Sequence, residues 1–335
     1  MTQLRNFLFI LVSLVSLNCF SQSPKINDLV GEGIKYHDQG EYEKAISYYK
    51  KALGIDENSS LVNYEIAYSY LGSKDYKNAV KYSKKVIKLK EGHELSAYIT
   101  YGNALDMMGK ANKAIKMYEK AIKDYDNYLL YYNHAFACLN SNQLDKAYTS
   151  AIKAINKKSS HASSHLILSK IMEKKGSRVK AMLPLYFFLL IEPNSERAAI
   201  EYQTLRAYMN HGISRTNDKT INIQVPSDND PSFGAAEMMI SMSKVSSSLD
   251  ENKNKTDLEL FADTNKKVLG ILGELKKDNK GFWWDFYVPF FNGLVKEDLI
   301  TAYSYYISLS MGDKAVNWID ENKVEFEKFK NYLGN

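Results

Sequence analysis

The stretch that decides the fold is Gly40–Leu53, GEYEKAISYYKKAL, because related versions of it recur along the chain. One alanine of this stretch returns at intervals of 34, 35, 33 and 34 residues. It is found as Ala45, Ala79, Ala114, Ala147 and Ala181. A fixed period in this range is typical of architectures that stack one supersecondary unit many times. The sequence therefore favours a repeat protein over an irregular helical bundle.

Small residues keep the same phase as these alanines. Twelve residues before them stand Gly33, Ala67, Gly102, Ala135 and Ser169, and seven residues after them stand Ala52, Val86, Ala121, Ala154 and Phe188. Two helices that cross closely need small side chains at the crossing, because large ones hold the backbones apart. Each repeat is therefore predicted to be a pair of helices packed against each other.

A turn is predicted between the two helices of each repeat. Its key positions are Gly40, Lys74, Gly109, Asn142 and Gly176. Glycine and asparagine suit a helix end that enters the left-handed conformation. Lys74 departs from this pattern, and we expect the neighbouring Gly72 to take the role in that repeat.

In these positions the sequence resembles the tetratricopeptide repeat (TPR), over about residues 26–195 as five repeats. The resemblance implies an all-α solenoid of helical hairpins, in which the first helix of each repeat, helix A, lines an inner face. Family phase places the following residues on that face: Tyr64, Tyr68, Ile99, Asn103, Tyr132, Phe136, Leu166 and Lys170. Such a groove would bind an extended or helical peptide, unless the chain's own tail or loop fills it. The family's clamp for a chaperone carboxylate is absent, since Val30 and Ile34 replace its Lys and Asn.

Residues 1–22 are predicted to be a signal peptide. Arg5 precedes an apolar run from Phe7 to Leu17, which is too short to span a bilayer. We therefore expect an exported protein, periplasmic or associated with the cell envelope, with no integral membrane segment in the mature chain. A lipid anchor at Cys19 is disfavoured, because Ser16 and Asn18 do not fit a lipobox. Removal of Cys19 leaves Cys138, a predicted core residue, with no partner for an intramolecular disulfide.

The residues after 195 do not follow the repeat period. We predict a capping helix at 196–209, a polar loop at 210–232 and a C-terminal helical domain at 233–335. Helices are expected there near 233–249, 257–279, 284–310 and 313–332. The second helix of repeat five, around Met182–Ile191, is apolar on all sides, so we expect a later segment to cover it.

Gly281–Phe291, GFWWDFYVPFF, is the most aromatic stretch of the chain. It has two interpretations. Trp283, Trp284 and Phe286 could form a second surface for a peptide or a sugar ring, or the stretch could be the core of the C-terminal helices, lying on the apolar helix of repeat five. The second interpretation is favoured, because large aromatic side chains are more often buried.

No catalytic constellation is found. The formal net charge is +5, with lysines and acidic residues interspersed, so a nucleic-acid partner is not expected. His161 and His165 are four residues apart, but they lack the glutamate of a metalloprotease motif and are predicted to be polar surface residues. We predict no cofactor, no metal and no enzyme activity. The predicted function is an exported TPR scaffold that binds a protein or peptide. The alternatives are a peptide- or glycan-binding module that uses the aromatic stretch, and an enzyme domain in 210–335.

Overall fold

The computed structural model describes residues 24–211, 213–217, 220–223, 230–246, 252 and 254–334. The predicted signal peptide and Cys19 lie outside these residues. The chain forms two compact units, which divide between Tyr125 and Asp126. Across the described residues, no helix combines the length and the apolar character needed to cross a membrane.

The N-terminal unit is a stack of helical hairpins, as predicted. Its pairs are α1 (Pro24–Asp38) with α2 (Tyr42–Leu53), α3 (Ser60–Gly72) with α4 (Tyr76–Leu89), and α5 (Glu94–Met107) with α6 (Ala111–Asp124). Consecutive hairpins also contact each other, α2 against α3 and α4 against α5. Each hairpin thereby covers the apolar side of its neighbour, which is how a repeat array builds a continuous core.

The hairpin turns adopt the predicted left-handed backbone at every key position. The φ angles are 77° at Gly40, 64° at Lys74, 69° at Gly109, 55° at Asn142 and 75° at Gly176. The expectation that Gly72 replaces Lys74 is therefore wrong. Gly72 has a different role, because a Cβ atom there would lie 2.5 Å from Cε1 of Tyr42. It is small so that the two helices can approach.

Close approach also explains the glycines at the predicted helix crossings. A Cβ atom at Gly33 would lie 2.2 Å from Cε1 of Tyr49, and one at Gly102 would lie 2.1 Å from Cζ of Tyr118. Both tyrosine rings are completely buried. Glycine therefore makes room for a large aromatic side chain of the second helix in each hairpin.

The C-terminal unit begins with two more hairpins of the same kind. They are α7 (Tyr128–Asn140) with α8 (Leu144–Lys157), and α9 (Ala162–Lys174) with α10 (Arg178–Ile191). Cys138 is a free cysteine and lies in the core, as predicted. Helix α11 (Glu196–Asn210) follows and packs on α10.

The segment predicted as a polar loop is more ordered than expected. It contains an antiparallel hairpin of β1 (Ile213–Asn217) and β2 (Thr220–Ile223), in which Ile213 pairs with Ile223. A short 3₁₀ turn, Pro231–Phe233, then leads into α12 (Gly234–Ser246).

The last helices are shorter than the sequence indicated. Those described are α13 (Asp257–Leu275), a π-helical turn (Trp283–Tyr287), α14 (Val288–Lys296), α15 (Ile300–Tyr306), α16 (Asp313–Glu321) and α17 (Lys323–Gly334). The predicted helix 284–310 breaks after α14, where Asp298 has a φ of 54°. The predicted helix 313–332 breaks at Asn322, whose side-chain amide donates to the Trp318 carbonyl at 2.8 Å.

These helices cover α10, as the sequence required. The Tyr186 hydroxyl of α10 donates to Asn265 Oδ1 of α13 at 2.6 Å, and the Tyr303 hydroxyl of α15 donates to the Tyr186 carbonyl at 2.9 Å. Phe187 packs against Phe286 and Phe290. Residues on nearly all sides of α10 are therefore buried.

Candidate functional site

In the N-terminal unit, four aromatic side chains form a row across the helix A positions. Tyr64 and Tyr68 lie one turn apart on α3, with ring centroids 6.1 Å apart. The ring of His37, at the end of α1, stacks on Tyr68 at 4.7 Å, and that of His93, the N-cap of α5, stacks near Tyr64 at 6.0 Å. We call these four residues the ring row. Tyr68 is the exposed residue of the ring row, with 44% of its surface accessible to solvent.

The two histidines of the ring row were not predicted. They stand at helix ends, outside the positions that family phase assigns to the inner face. His37 is fixed by its Nδ1, which is 2.8 Å from the Ser69 hydroxyl oxygen, and burial lowers its pKa, while the nearby Asp38 opposes the shift. No local sequence signal marks a ring that stacks on a residue about thirty positions away.

The other two predicted positions of this unit, Ile99 and Asn103, are only half-buried and lie on α5. The Tyr118 hydroxyl of α6 is 3.1 Å from Asn103 Oδ1 and 3.3 Å from the Ile99 carbonyl. Asn103 is therefore oriented by its own hairpin and presents a fixed side chain.

A carboxylate lies beside the ring row. Glu65 follows Tyr64 on α3, and its pKa is raised, first by burial and second by the charge of Asp38 at the end of α1. Neither carboxylate makes an ion pair within the described residues. The face is thus aromatic and negatively charged.

The helix A positions of the C-terminal unit form a separate face with different chemistry. Tyr132 on α7 contacts His161 edge to face, with centroids 5.1 Å apart, and burial raises its pKa. Phe136 is exposed over 43% of its surface, and Leu166 on α9 is half-buried. Lys170 is exposed, with Nζ 3.4 Å from a Glu201 carboxylate oxygen on α11.

The aromatic stretch is not an open platform. Trp283 and Trp284 are buried, and Phe286 is half-covered by Phe187. The indole nitrogen of Trp283 donates to the Tyr148 hydroxyl of α8 at 3.1 Å. Because neither indole presents a free face, the contacts favour the interpretation as core over a second binding surface.

His165 corrects one further expectation. It is completely buried rather than on the surface. Its Nδ1 is 2.7 Å from the Tyr287 hydroxyl oxygen and its Nε2 is 2.8 Å from the Ser159 carbonyl. Burial lowers its pKa to about 4. His165 therefore fixes the aromatic stretch to α9 as a neutral ring.

Among the residues whose placement is described, no group of three or more His, Cys, Asp or Glu side chains could hold a metal ion. What the two faces offer is aromatic surface, hydrogen-bonding groups and charge. Those are the features of a binding surface for a peptide or protein.

The tetratricopeptide repeat family matches the sequence at residues 36–59, 62–93 and 95–123. No curated protein matches. Several solved structures are similar to this chain at low identity. MamA (residues 41 to the end) from Desulfovibrio magneticus RS-1 is 20% identical, covers 51% of this chain and 97% of its own, and has a TM-score of 0.44.

Two further solved structures are of the same kind. A thermophilic TPR protein in Thermus thermophilus is 15% identical, covers 54% of this chain and 98% of its own, with a TM-score of 0.47. The C-terminal part of a TPR repeat-containing protein from Cytophaga hutchinsonii is 16% identical, covers 86% of this chain and 98% of its own, and has a TM-score of 0.46. With their hairpins, their left-handed turns and the family match, residues 36–123 form tetratricopeptide repeats.

Proposed function

We propose that this chain is a non-enzymatic scaffold of the cell envelope that binds a protein or peptide partner through its helix A faces. The observation that carries the proposal is the exposure of large rings at one repeat position. Tyr68 and Phe136 both stand eleven residues before the repeat alanine, and both are more than two-fifths exposed. Exposed rings at a recurring position, next to further aromatic residues, are typical of protein-binding surfaces.

The alternative of an enzyme in residues 210–335 needs a pocket with free titratable groups. A cleft of about 540 Å³ does lie in this part of the chain, between α13, α15 and α16. However, Asp257 on its wall accepts from Arg206 at 2.6 Å, and Glu259 accepts from the Thr256 amide at 2.6 Å as part of a helix cap. Two of the three carboxylates on the wall therefore serve the fold, and a single remaining one, Glu321, does not make a catalytic pair, which favours the scaffold.

Export rests on the N-terminal sequence alone. The charged start and the short apolar run of residues 1–22 are those of a signal peptide. N-terminal sequencing of the protein from fractionated native cells tests this point. An uncut Met1 on protein that stays in the cytoplasm would refute it.

The binding proposal is tested by crosslinking in intact cells, followed by affinity capture and mass spectrometry. The test variant carries Tyr68→Ala, Tyr132→Ala and Phe136→Ala. A matched control carries Ile55→Ala and Val316→Ala, which remove apolar surface of similar exposure away from the helix A faces. We expect one dominant partner with the wild type and the control, and its loss with the test variant. A partner that all three proteins retain would refute binding at these faces.

A further inference from the structure

Charge is divided between the two kinds of helix in the N-terminal unit. Helices α3 and α5 carry three acidic residues and no Lys or Arg. Helices α4 and α6, the second helices of the same hairpins, carry nine Lys and only two acidic residues. The interspersed charges of the sequence therefore separate once the chain folds. Helix α1 is mixed, with three acidic residues and two Lys, so α3 and α5 are the helix A segments whose net negative charge attracts positive partners.

Two carboxylates are concentrated at the ring row. Asp38 follows His37 directly, and Glu65 lies between Tyr64 and Tyr68 on α3. Glu65 is partly withdrawn from water, and both groups lack an ion pair within the described residues. A carboxylate in such a position is stabilised by a cation that supplies both charge and hydrogen bonds.

A buried tyrosine hydroxyl, that of Tyr49, also lies near these two carboxylates. The Tyr49 side chain is fully buried. The neighbouring Ser69 hydroxyl oxygen is 2.8 Å from His37 Nδ1 and also interacts with the Tyr49 hydroxyl. The charges of Glu65 and Asp38 both act on the Tyr49 phenol and, with burial as the larger cause, raise its pKa.

The rings supply the rest of a cation site. An ammonium or guanidinium group is attracted to an aromatic face when it lies within about 6 Å of the ring centroid. Tyr68 offers exposed ring surface about one helical turn from Tyr64 and in stacking contact with His37. Aromatic surface with carboxylates beside it is complementary to the side chains of lysine and arginine, whose apolar stems also pack on rings.

We propose that the ring row, with Asp38 and Glu65, selects a lysine- or arginine-bearing segment of the partner protein. This inference rests on the proposed function and names the chemistry of its partner. A basic segment fits because its cations would meet carboxylates that form no ion pair within the described residues, while its stems cover Tyr68. An anionic membrane surface does not fit this face, since lipid phosphates would meet carboxylates of the same sign.

Fluorescence anisotropy with three labelled nine-residue peptides tests the inference. The first peptide repeats Gly-Leu-Lys three times, and the others replace every Lys by Gln or by Glu. We expect the Lys peptide to bind at least tenfold more tightly than the Gln peptide, and the Glu peptide to bind least. The Glu65→Gln variant should weaken binding of the Lys peptide about tenfold and leave the Gln peptide unchanged.

Two control variants separate the possible outcomes. Glu43→Gln removes the same charge from an exposed site on α2, and should change binding of the Lys peptide less than twofold. Equal weakening by Glu43→Gln and Glu65→Gln would indicate general charge attraction and overturn the inference. Equal binding of the Lys and Gln peptides, with loss of both in Tyr68→Ala, would also overturn it but leave the proposed function intact. Binding of the Lys peptide that neither Glu65→Gln nor Tyr68→Ala affects would place the basic ligand elsewhere and refute this site.

Discussion

Replacement of Arg178 by Met should destabilise the C-terminal unit strongly. Arg178, at the start of α10, and Glu237, on α12, form an ion pair with Nε and Oε2 2.6 Å apart, and their side chains are only 4% and 1% exposed. Arg178 also donates to the His211 carbonyl at 3.0 Å and to the Glu237 carbonyl at 3.0 Å. The substitution removes these bonds together and takes the Arg178 cation away from the buried Glu237 carboxylate.

The expected loss follows from this geometry. Removing one partner of a buried ion pair costs about 3–5 kcal/mol of unfolding free energy, because the remaining charge stays desolvated. The pair Lys266–Asp298 is a matched control, since its Nζ and carboxylate oxygen are also 2.6 Å apart but both side chains are exposed. Lys266→Met should therefore cost less than about 1 kcal/mol.

Urea denaturation followed by far-UV circular dichroism measures both variants. The double variant Arg178→Met with Glu237→Leu should recover much of the lost unfolding free energy, because it also removes the buried charge of Glu237 and fills the site with apolar atoms. If Arg178→Met cost no more than Lys266→Met, the buried pair would not hold α12 to α10. A double variant as unstable as the single one would show that packing, and not the charge, was lost.

Three further perturbations test other parts of the fold by urea denaturation. Gly102→Ala should lower the free energy of unfolding by about 1–3 kcal/mol, because its Cβ would lie 2.1 Å from Tyr118 Cζ. Gly31→Ala is the control and should raise it by up to about 1 kcal/mol, because no atom lies within 4 Å of the added Cβ. Equal effects of the two substitutions would refute the close-approach argument. Lys74→Gly should raise the free energy of unfolding by about 0.5–1 kcal/mol, because glycine adopts the left-handed φ of 64° without strain. A lower free energy of unfolding would show that the lysine side chain matters more than the backbone. His165 has a pKa of about 4 in the folded protein against an ordinary 6.5. As the pH falls, the unfolded chain therefore binds a proton at His165 first, and the free energy of unfolding should fall by about 2 kcal/mol between pH 7 and pH 5. His165→Asn should reduce this dependence on pH, and an unchanged dependence would contradict the prediction.

The repeat array was predictable because it depends on local, periodic features. Small residues at a fixed spacing and turn residues that accept a left-handed backbone are visible in the sequence. Lys74 shows the limit of this reasoning, since its neighbours impose the turn conformation on a residue that does not favour it. Gly72 was misassigned because the nearby ring of Tyr42 is a tertiary contact that no local pattern reveals.

The proposed binding face was predictable only in part. Family phase selected Tyr64 and Tyr68, but not His37 and His93, because helix ends fall outside the phase. Aromatic density at residues 281–291 favoured a core but left a binding surface open as the alternative. The contacts that decide between core and surface join residues more than 100 positions apart in the sequence, such as His165 and Tyr287. Such contacts depend on the fold as a whole.

The aromatic core of the C-terminal unit has a spectroscopic consequence. Trp283, Trp284 and Trp318 are the only tryptophans of the chain, and all three lie after Asp126. Indole emission therefore reports on one unit, while the amide signal of circular dichroism reports on both. Repeat arrays are held by nearest-neighbour contacts and need not melt together. If the two signals change at different urea concentrations, the N-terminal repeats unfold as a separate cooperative block, and a single midpoint no longer describes this protein.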